Sequence, residues 1–198
     1  LDAKLIYNGK YEAMDNELIN LKDKSGKVDL LDTNRDGKYD LVFVTEYRNV
    51  VVDEIMPTTG RIIDKYGAAT IVLDPENKDL EYVIEKGAEQ IELTDLQEWD
   101  VLSVVESKDH TLFRIFVTNN PVEGKVNELD NGRIKIGTTL YKIASNYTQT
   151  INLEDEGIFY LDIEGKIAAV DLSSRISSNY AYLINAAINS YADEFFEM

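Results

Sequence analysis

The chain has 198 residues, 37 acidic against 20 basic, and no cysteine. The missing cysteine excludes disulfide staples and thiolate chemistry, and a net charge of -17 repels phosphate backbones and anionic lipid, so nucleic acid and membranes are poor partners. A hydrophobic fraction of 44% is that of a folded protein with a core, and there is no apolar run of about eighteen residues to insert in a membrane.

Leu1-Asp2-Ala3-Lys4 reads as a cut made in processing a longer precursor. Residues 3–7 form a strand entering a tight turn at Asn8-Gly9, a pair that favours a type I′ hairpin. Residues 12–27 are less regular: Met14, Leu18, Ile19 and Leu21 have the spacing of a helical turn, while Asn16, Asn20 and Ser25-Gly26 favour a loop. Val28-Asp29-Leu30-Leu31 and Leu41-Val42-Phe43-Val44 then read as two antiparallel strands, the second continuing to Tyr47. Short β runs follow at 50–52, 60–63, 70–73, 81–84, 99–105 and 112–118, broken by turn residues, a grammar that indicates an all-β sandwich or barrel. The one helix candidate there is residues 93–98, where Thr94 or Asp95 would cap a single turn.

Between the first two of these strands lies the most information-dense stretch, Asp32-Thr33-Asn34-Arg35-Asp36-Gly37-Lys38-Tyr39-Asp40. Asp32, Asn34, Asp36 and Asp40 stand first, third, fifth and ninth, with glycine sixth to permit a sharp reversal. That spacing gathers hard oxygen ligands and points to calcium, held by those four side chains and the backbone carbonyl of Lys38. The twelfth place is Phe43 rather than a bidentate Glu, and strand residues follow, so this is not an EF-hand. A bare Asp/Asn/Gly turn with no ion is the alternative.

Asn119-Asn120-Pro121 is the best internal boundary, after which the same grammar restarts in shorter form. Val52-Asp53-Glu54-Ile55 before Gly60-Arg61-Ile62-Ile63 is echoed by Val126-Asn127-Glu128-Leu129 before Gly132-Arg133-Ile134-Lys135-Ile136. Tyr82-Val83-Ile84 is set beside Tyr141-Lys142-Ile143, and Asp100-Val101-Leu102-Ser103-Val104 beside Gly157-Ile158-Phe159-Tyr160-Leu161. The expected architecture is tandem small antiparallel β-barrels, OB-like or SH3-like, behind an N-terminal β-hairpin carrying the acidic loop. Residues 1–120 hold that hairpin and the first barrel, 121–175 the second, and 176–198 the start of a further, truncated unit. Residues 179–198 fit strand and helix spacing alike.

The run Leu5-Ile6-Tyr7-Asn8-Gly9-Lys10, the segment from Val28 to Thr45 with its acidic loop, Leu96-Gln97-Glu98-Trp99-Asp100-Val101-Leu102-Ser103-Val104, Gly124-Lys125-Val126 and the hairpin from Tyr160 to Val170 resemble the β-rich middle region of clostridial cell-surface proteins that carry S-layer homology domains. The likeness covers nearly the whole chain. It departs at Asn34, where the family's loop commonly has Asp, and no S-layer homology domain lies in these residues. The resemblance implies an extracellular cell-wall or S-layer location and a structural, spacer or assembly role. Its implied partners are other surface-layer or cell-wall components, or further copies of the chain.

Catalytic constellations are poorly supplied. His110 is the only histidine, set in a turn-like Ser107-Lys108-Asp109-His110-Thr111, and no Gly-x-Ser-x-Gly elbow exists, so neither a Ser-His-Asp triad nor a zinc site is expected. Acidic pairs such as Asp53/Glu54, Asp74/Glu76 and Asp162/Glu164 read as solvated faces or turns. Twelve Tyr, six Phe and one Trp leave glycan binding as the alternative function, although Trp99 in its apolar run reads as core. The expectation is a non-enzymatic, calcium-stabilised structural segment.

Overall fold

A computed structural model describes residues 3–22, 24–67 and 70–172; the expected lead at Leu1-Asp2 and unit start at 176–198 lie outside the described residues. β1 (Lys4–Tyr7) turns into β2 (Lys10–Glu12) through Asn8 and Gly9, both with positive φ (45° and 85°), the geometry of a type I′ turn. One helical turn, α1 (Asn16–Ile19), follows, capped by the Asp15 carboxylate, which accepts from the Glu17 N–H. β3 (Ser25–Leu31) then runs antiparallel to the first half of β4 (Leu41–Met56).

β4 is the spine. The sequence suggests a break between Tyr47 and Val50, but no glycine or proline stands there, and the strand continues for 16 residues, changing partners instead of direction. Its first half pairs with β3 and, in parallel, with β1; its second half pairs with β5 (Arg61–Asp64) and, further on in the chain, with β9 (Val101–Glu106). Asn8 marks the splice. Its N–H goes to Val44, its side-chain oxygen accepts from Glu46 N–H and its amide donates to the Glu106 carbonyl, so β1 and the end of β9 meet along β4.

Between β5 and β9 lie β6 (Ile71–Val72), β7 (Glu81–Lys86), β8 (Glu89–Gln90) and one 3-10 turn, Leu93–Asp95. That turn is capped by Glu92 and Asp95 reciprocally, not by Thr94. β10 (Leu112–Thr118) completes a ten-stranded sheet that curls into a half-barrel. The expected antiparallel build needs correction at two places: β1 pairs β4 and β7 pairs β10 in parallel. Each pair is separated by further strands, which bring the later partner round in the same direction.

The second sheet holds β11 (Pro121–Asp130), β12 (Arg133–Ile136), β13 (Thr139–Lys142), β14 (Glu156–Leu161) and β15 (Ile167–Asp171), in the order β13-β12-β11-β14-β15. Along β11 its ladder with β12 and β14 follows that of β4 with β5 and β9 residue for residue. Val52 pairs with Asp64, a bulge intervenes, and Glu54, Ile55 and Met56 pair with Ile63, Ile62 and Arg61. Val126 pairs with Ile136, a bulge intervenes, and Glu128, Leu129 and Asp130 pair with Lys135, Ile134 and Arg133. On the β9 and β14 side, Val51 faces Val101 as Lys125 faces Glu156.

The lead-in to the next strand also recurs. Val52 N–H donates to Asp100 O and receives Trp99 N–H at its carbonyl; Val126 makes the same two bonds with Asp155 and Glu154. Trp99 and Glu154 share a left-handed backbone (φ 71° and 76°), and the Asp100 and Asp155 carboxylates accept from Gln97 and Asn152 N–H. This register corrects the sequence alignment by two residues: Asp100-Val101-Leu102 stands opposite Asp155-Glu156-Gly157. Tyr141 and Lys142 pair as Ile71 and Val72 do, while Ile143 bridges in parallel to Ile167, a role β7 plays toward β10 in the first sheet.

Candidate functional site

Three places gather side chains worth a chemical reading. The first is the acidic loop, which closes β3 onto β4 as expected, with Leu31 paired to Leu41 and Asp40 N–H bound to Leu31 O at 2.9 Å. All five predicted ligand residues lie in it, Asn34, Asp36 and Lys38 exposed and Asp32 and Asp40 half-buried. The Asp32 carboxylate accepts from Arg35 N–H (2.6 Å) and Gly37 N–H (3.0 Å). Asn34 Oδ1 accepts from Asp36 N–H, Asp36 Oδ1 from Lys38 N–H, and Asp40 Oδ2 from both the N–H and the hydroxyl of Thr33. These bonds tie each side-chain oxygen to a neighbouring donor of the same loop, with Gly37 at φ 85° making the reversal. The Thr33 hydroxyl, then its N–H, holds the Asp40 carboxyl below the usual carboxylate range. Among the described residues no group of three or more His, Cys, Asp or Glu side chains is clustered as a metal site. The donor set is nevertheless all hard oxygen, the chemistry calcium takes.

The second place is an open groove of about 560 Å³ between β1, the first half of β4, β7 and β10. Ile6, Phe43, Tyr82, Val83, Leu112 and Phe116 line it. Arg114 lies 4.9 Å over the Phe116 ring and is held there by Glu85, its Nε donating at 2.9 Å. Phe43 and Tyr82 stay substantially exposed. The sequence shows the aromatic supply but not this gathering, which depends on the parallel pairing of β7 with β10.

The third is the junction of the two sheets, which sequence reading missed. Val51 and Val101 from the first sheet are fully buried against Ala144, Ala168 and Ala169 from the second. Trp99, expected in a core, instead lies at this seam and stacks on Tyr160 (5.0 Å, 10° between planes), with Lys65 Nζ 4.2 Å over the indole. Lys65 also reaches Asp53 and Glu98 at 2.7 Å each. Polar bonds complete the seam: Asn49 Nδ2 to Asp162, Thr118 Oγ1 to Leu161 O, Lys166 Nζ to Ser25 Oγ, and Val170 N–H to the Tyr66 hydroxyl. Asp162, read as a solvated turn residue, is 2% exposed and accepts from Asn49 and from the N–H groups of Glu164 and Lys166. Burial, with the nearby Asp162 and Glu164 carboxylates adding to it, pushes the Tyr47 phenol well up.

His110 sits at the β9–β10 hairpin tip with φ 56°, exposed, its Nδ1 2.5 Å from Glu106 Oε1. It has the surroundings of a turn residue. No protein-family model, curated protein or solved structure matches this chain.

Proposed function

We propose that the chain is a non-enzymatic structural segment, a spacer or assembly piece of an extracellular S-layer-type surface protein, built from two copies of one small β-barrel unit in series. The observation that carries this reading is the recurrence of one ladder, with its bulge, its left-handed residue and its Asp-capped lead-in, in two sheets separated by Asn119-Asn120. A buried seam between the copies supports a mechanical role, since it fixes their spacing. Its partners are other surface-layer or cell-wall components, or further copies of the chain.

In this reading loop 32–40 is the clasp of the N-terminal hairpin. Asp32, Asn34, Asp36 and Asp40, with the Lys38 carbonyl, would hold a calcium ion whose charge offsets the clustered carboxylates. Melting with calcium against chelator tests it: the ion raises the midpoint in the wild-type chain, by an amount equivalent to about 2.7 kcal/mol at a hundredfold excess over Kd, and leaves an Asp36→Ala variant unmoved. Identical midpoints in the wild type would remove the ion from the account.

The aromatic groove favours a second reading, glycan binding, because exposed rings beside a fixed guanidinium suit stacking against sugar faces. Retention on a cell-wall polysaccharide that Tyr82→Ala and Phe43→Ala abolish would replace the spacer reading with this one.

A further inference from the structure

The matched ladder gives Val51, Val101 and Trp99, the first sheet's apolar side of the seam, counterparts in the second sheet. Val51 and Val101, cross-strand partners with no exposure, correspond to Lys125 and Glu156, cross-strand partners that face solvent. Trp99 and Glu154 share the same left-handed backbone and the same bond to their valine carbonyl. Yet the indole stacks on Tyr160, whereas the carboxylate forms an ion pair with Lys125. The first unit thus turns an apolar trio outward where the second turns a charged trio.

We propose that docking between such units runs in one direction only. The first unit receives, the second inserts through Ala144, Ala168, Ala169 and Tyr160, and the trio Lys125, Glu154 and Glu156 is a cap that refuses a further copy of this fold. The proposal rests on the two-unit reading above. Its physical basis is desolvation: laying an alanine face on three charged groups strips their water and returns only methyl contacts. Stacked-unit proteins meet the same problem at their ends, where a polar outer face keeps the last unit from gathering another. Here the polar face is written into the ladder positions that carry the seam in the preceding unit.

Two variants of the full chain test it. Val51→Lys with Val101→Glu installs on the first unit the pair that the second already carries at the same backbone positions, so the ladder accommodates it. The variant should undock the second unit, red-shift the single tryptophan, enlarge the hydrodynamic radius and melt in two steps. Lys125→Val with Glu154→Trp and Glu156→Val turns the cap into a receiving face. Sedimentation velocity of mixtures should show the undocked chain binding the cap-converted chain at least about tenfold more tightly than it binds wild type. Equal binding to both, or to neither, with two melting steps retained, overturns the one-way docking alone. A single cooperative collapse of the Val51→Lys, Val101→Glu chain removes the two-unit reading and the proposal with it.

Discussion

The two sheets share a ladder and fill it differently. One pair further from the bulge than Val51–Val101 and Lys125–Glu156, the first sheet sets Val50 against Leu102, and the second sets Gly124 against Gly157. A Cβ on Gly157 would stand 2.3 Å from Asp171 O, and one on Gly124 2.7 Å from Ile136 Cγ2. The second sheet therefore closes more tightly, with β15 and β12 drawn into space that side chains occupy in the first. The first has β7 and β8 to enclose, and packs Ile84, Leu93, Phe113 and Ile115 among them. The second lacks the excursion that carries those strands and compensates with one ring: Phe159 stands where the first sheet has Val104. One hydrogen-bond pattern accommodates two core volumes when glycine and a large aromatic are exchanged together.

Removing that ring is the sharpest way to break the comparison. Phe159 has no exposure and is the largest fully buried side chain among the described residues, so Phe159→Ala should cost about 3–5 kcal/mol in chemical denaturation. Val104→Ala at the matching position should cost clearly less, because its neighbours Ile84, Leu102 and Ile115 still fill the site. Equal losses would mean that the two cores are not organised as described. Next in size is Gly157→Ala. The added methyl meets a backbone carbonyl and not a flexible side-chain end, so a loss of about 2–3 kcal/mol is expected. A neutral result would show that β15 can move away and that the close approach is not needed.

The two hairpin tips extend the comparison to polar groups. Ser107 and Asp162 both stand buried at the end of β9 or β14, and each takes a backbone N–H from the returning strand, from Leu112 at 3.0 Å and from Lys166 at 2.8 Å. Only Asp162 also binds across the seam, to Asn49. Asp162→Ala leaves three donors without their acceptor and should cost about 2–3 kcal/mol, with a shift in Trp99 emission as the seam loosens. Ser107→Ala should cost about 1 kcal/mol and leave that emission unchanged.

How much of this was legible beforehand depended on whether a feature was local. The Asn8-Gly9 turn, the β3–β4 pairing around the acidic loop and the hairpin tip at His110 follow from turn chemistry and alternation within a dozen residues. The Val52 and Val126 runs, aligned by composition, hold matching register positions. Setting Tyr141-Lys142 beside Tyr82-Val83 missed their true counterparts, Ile71 and Val72, and the Asp100 alignment slipped by two because Gly157 was set against it. Only the ladder and the hydrogen bonds of Asp100 and Asp155 identify the equivalent residues. Parallel pairings were hidden, since nothing in β1 names a partner that returns after Tyr39. Trp99 and Asp162 were misplaced for one reason: both face the other sheet, and burial made by a distant segment leaves no periodic trace near the residue it covers.

The smallest expected effect concerns acid, and it separates two loop carboxylates, Asp40 and Asp109. Lys10 first, then the Ser107 hydroxyl, hold Asp109 far below the ordinary carboxylate range, as the Thr33 hydroxyl and N–H hold Asp40 below it. A carboxyl depressed on folding contributes stability that is present above its unfolded value, about 3.9, and is lost as pH falls toward the folded one. Both should steepen the loss of stability below about pH 4, and Asp40→Asn or Asp109→Asn should each flatten that limb slightly in denaturation midpoints. Salt tells them apart. The Lys10–Asp109 pair is an exposed charge contact that roughly molar salt screens, whereas Thr33 binds Asp40 through neutral donors that salt leaves in place. At high salt the Asp109→Asn chain should therefore move closer to wild type through the acid limb, keeping only the part that the Ser107 hydroxyl supplies, while Asp40→Asn departs as far as before. If both variants merged with wild type, the clasp at loop 32–40 would be only another surface charge.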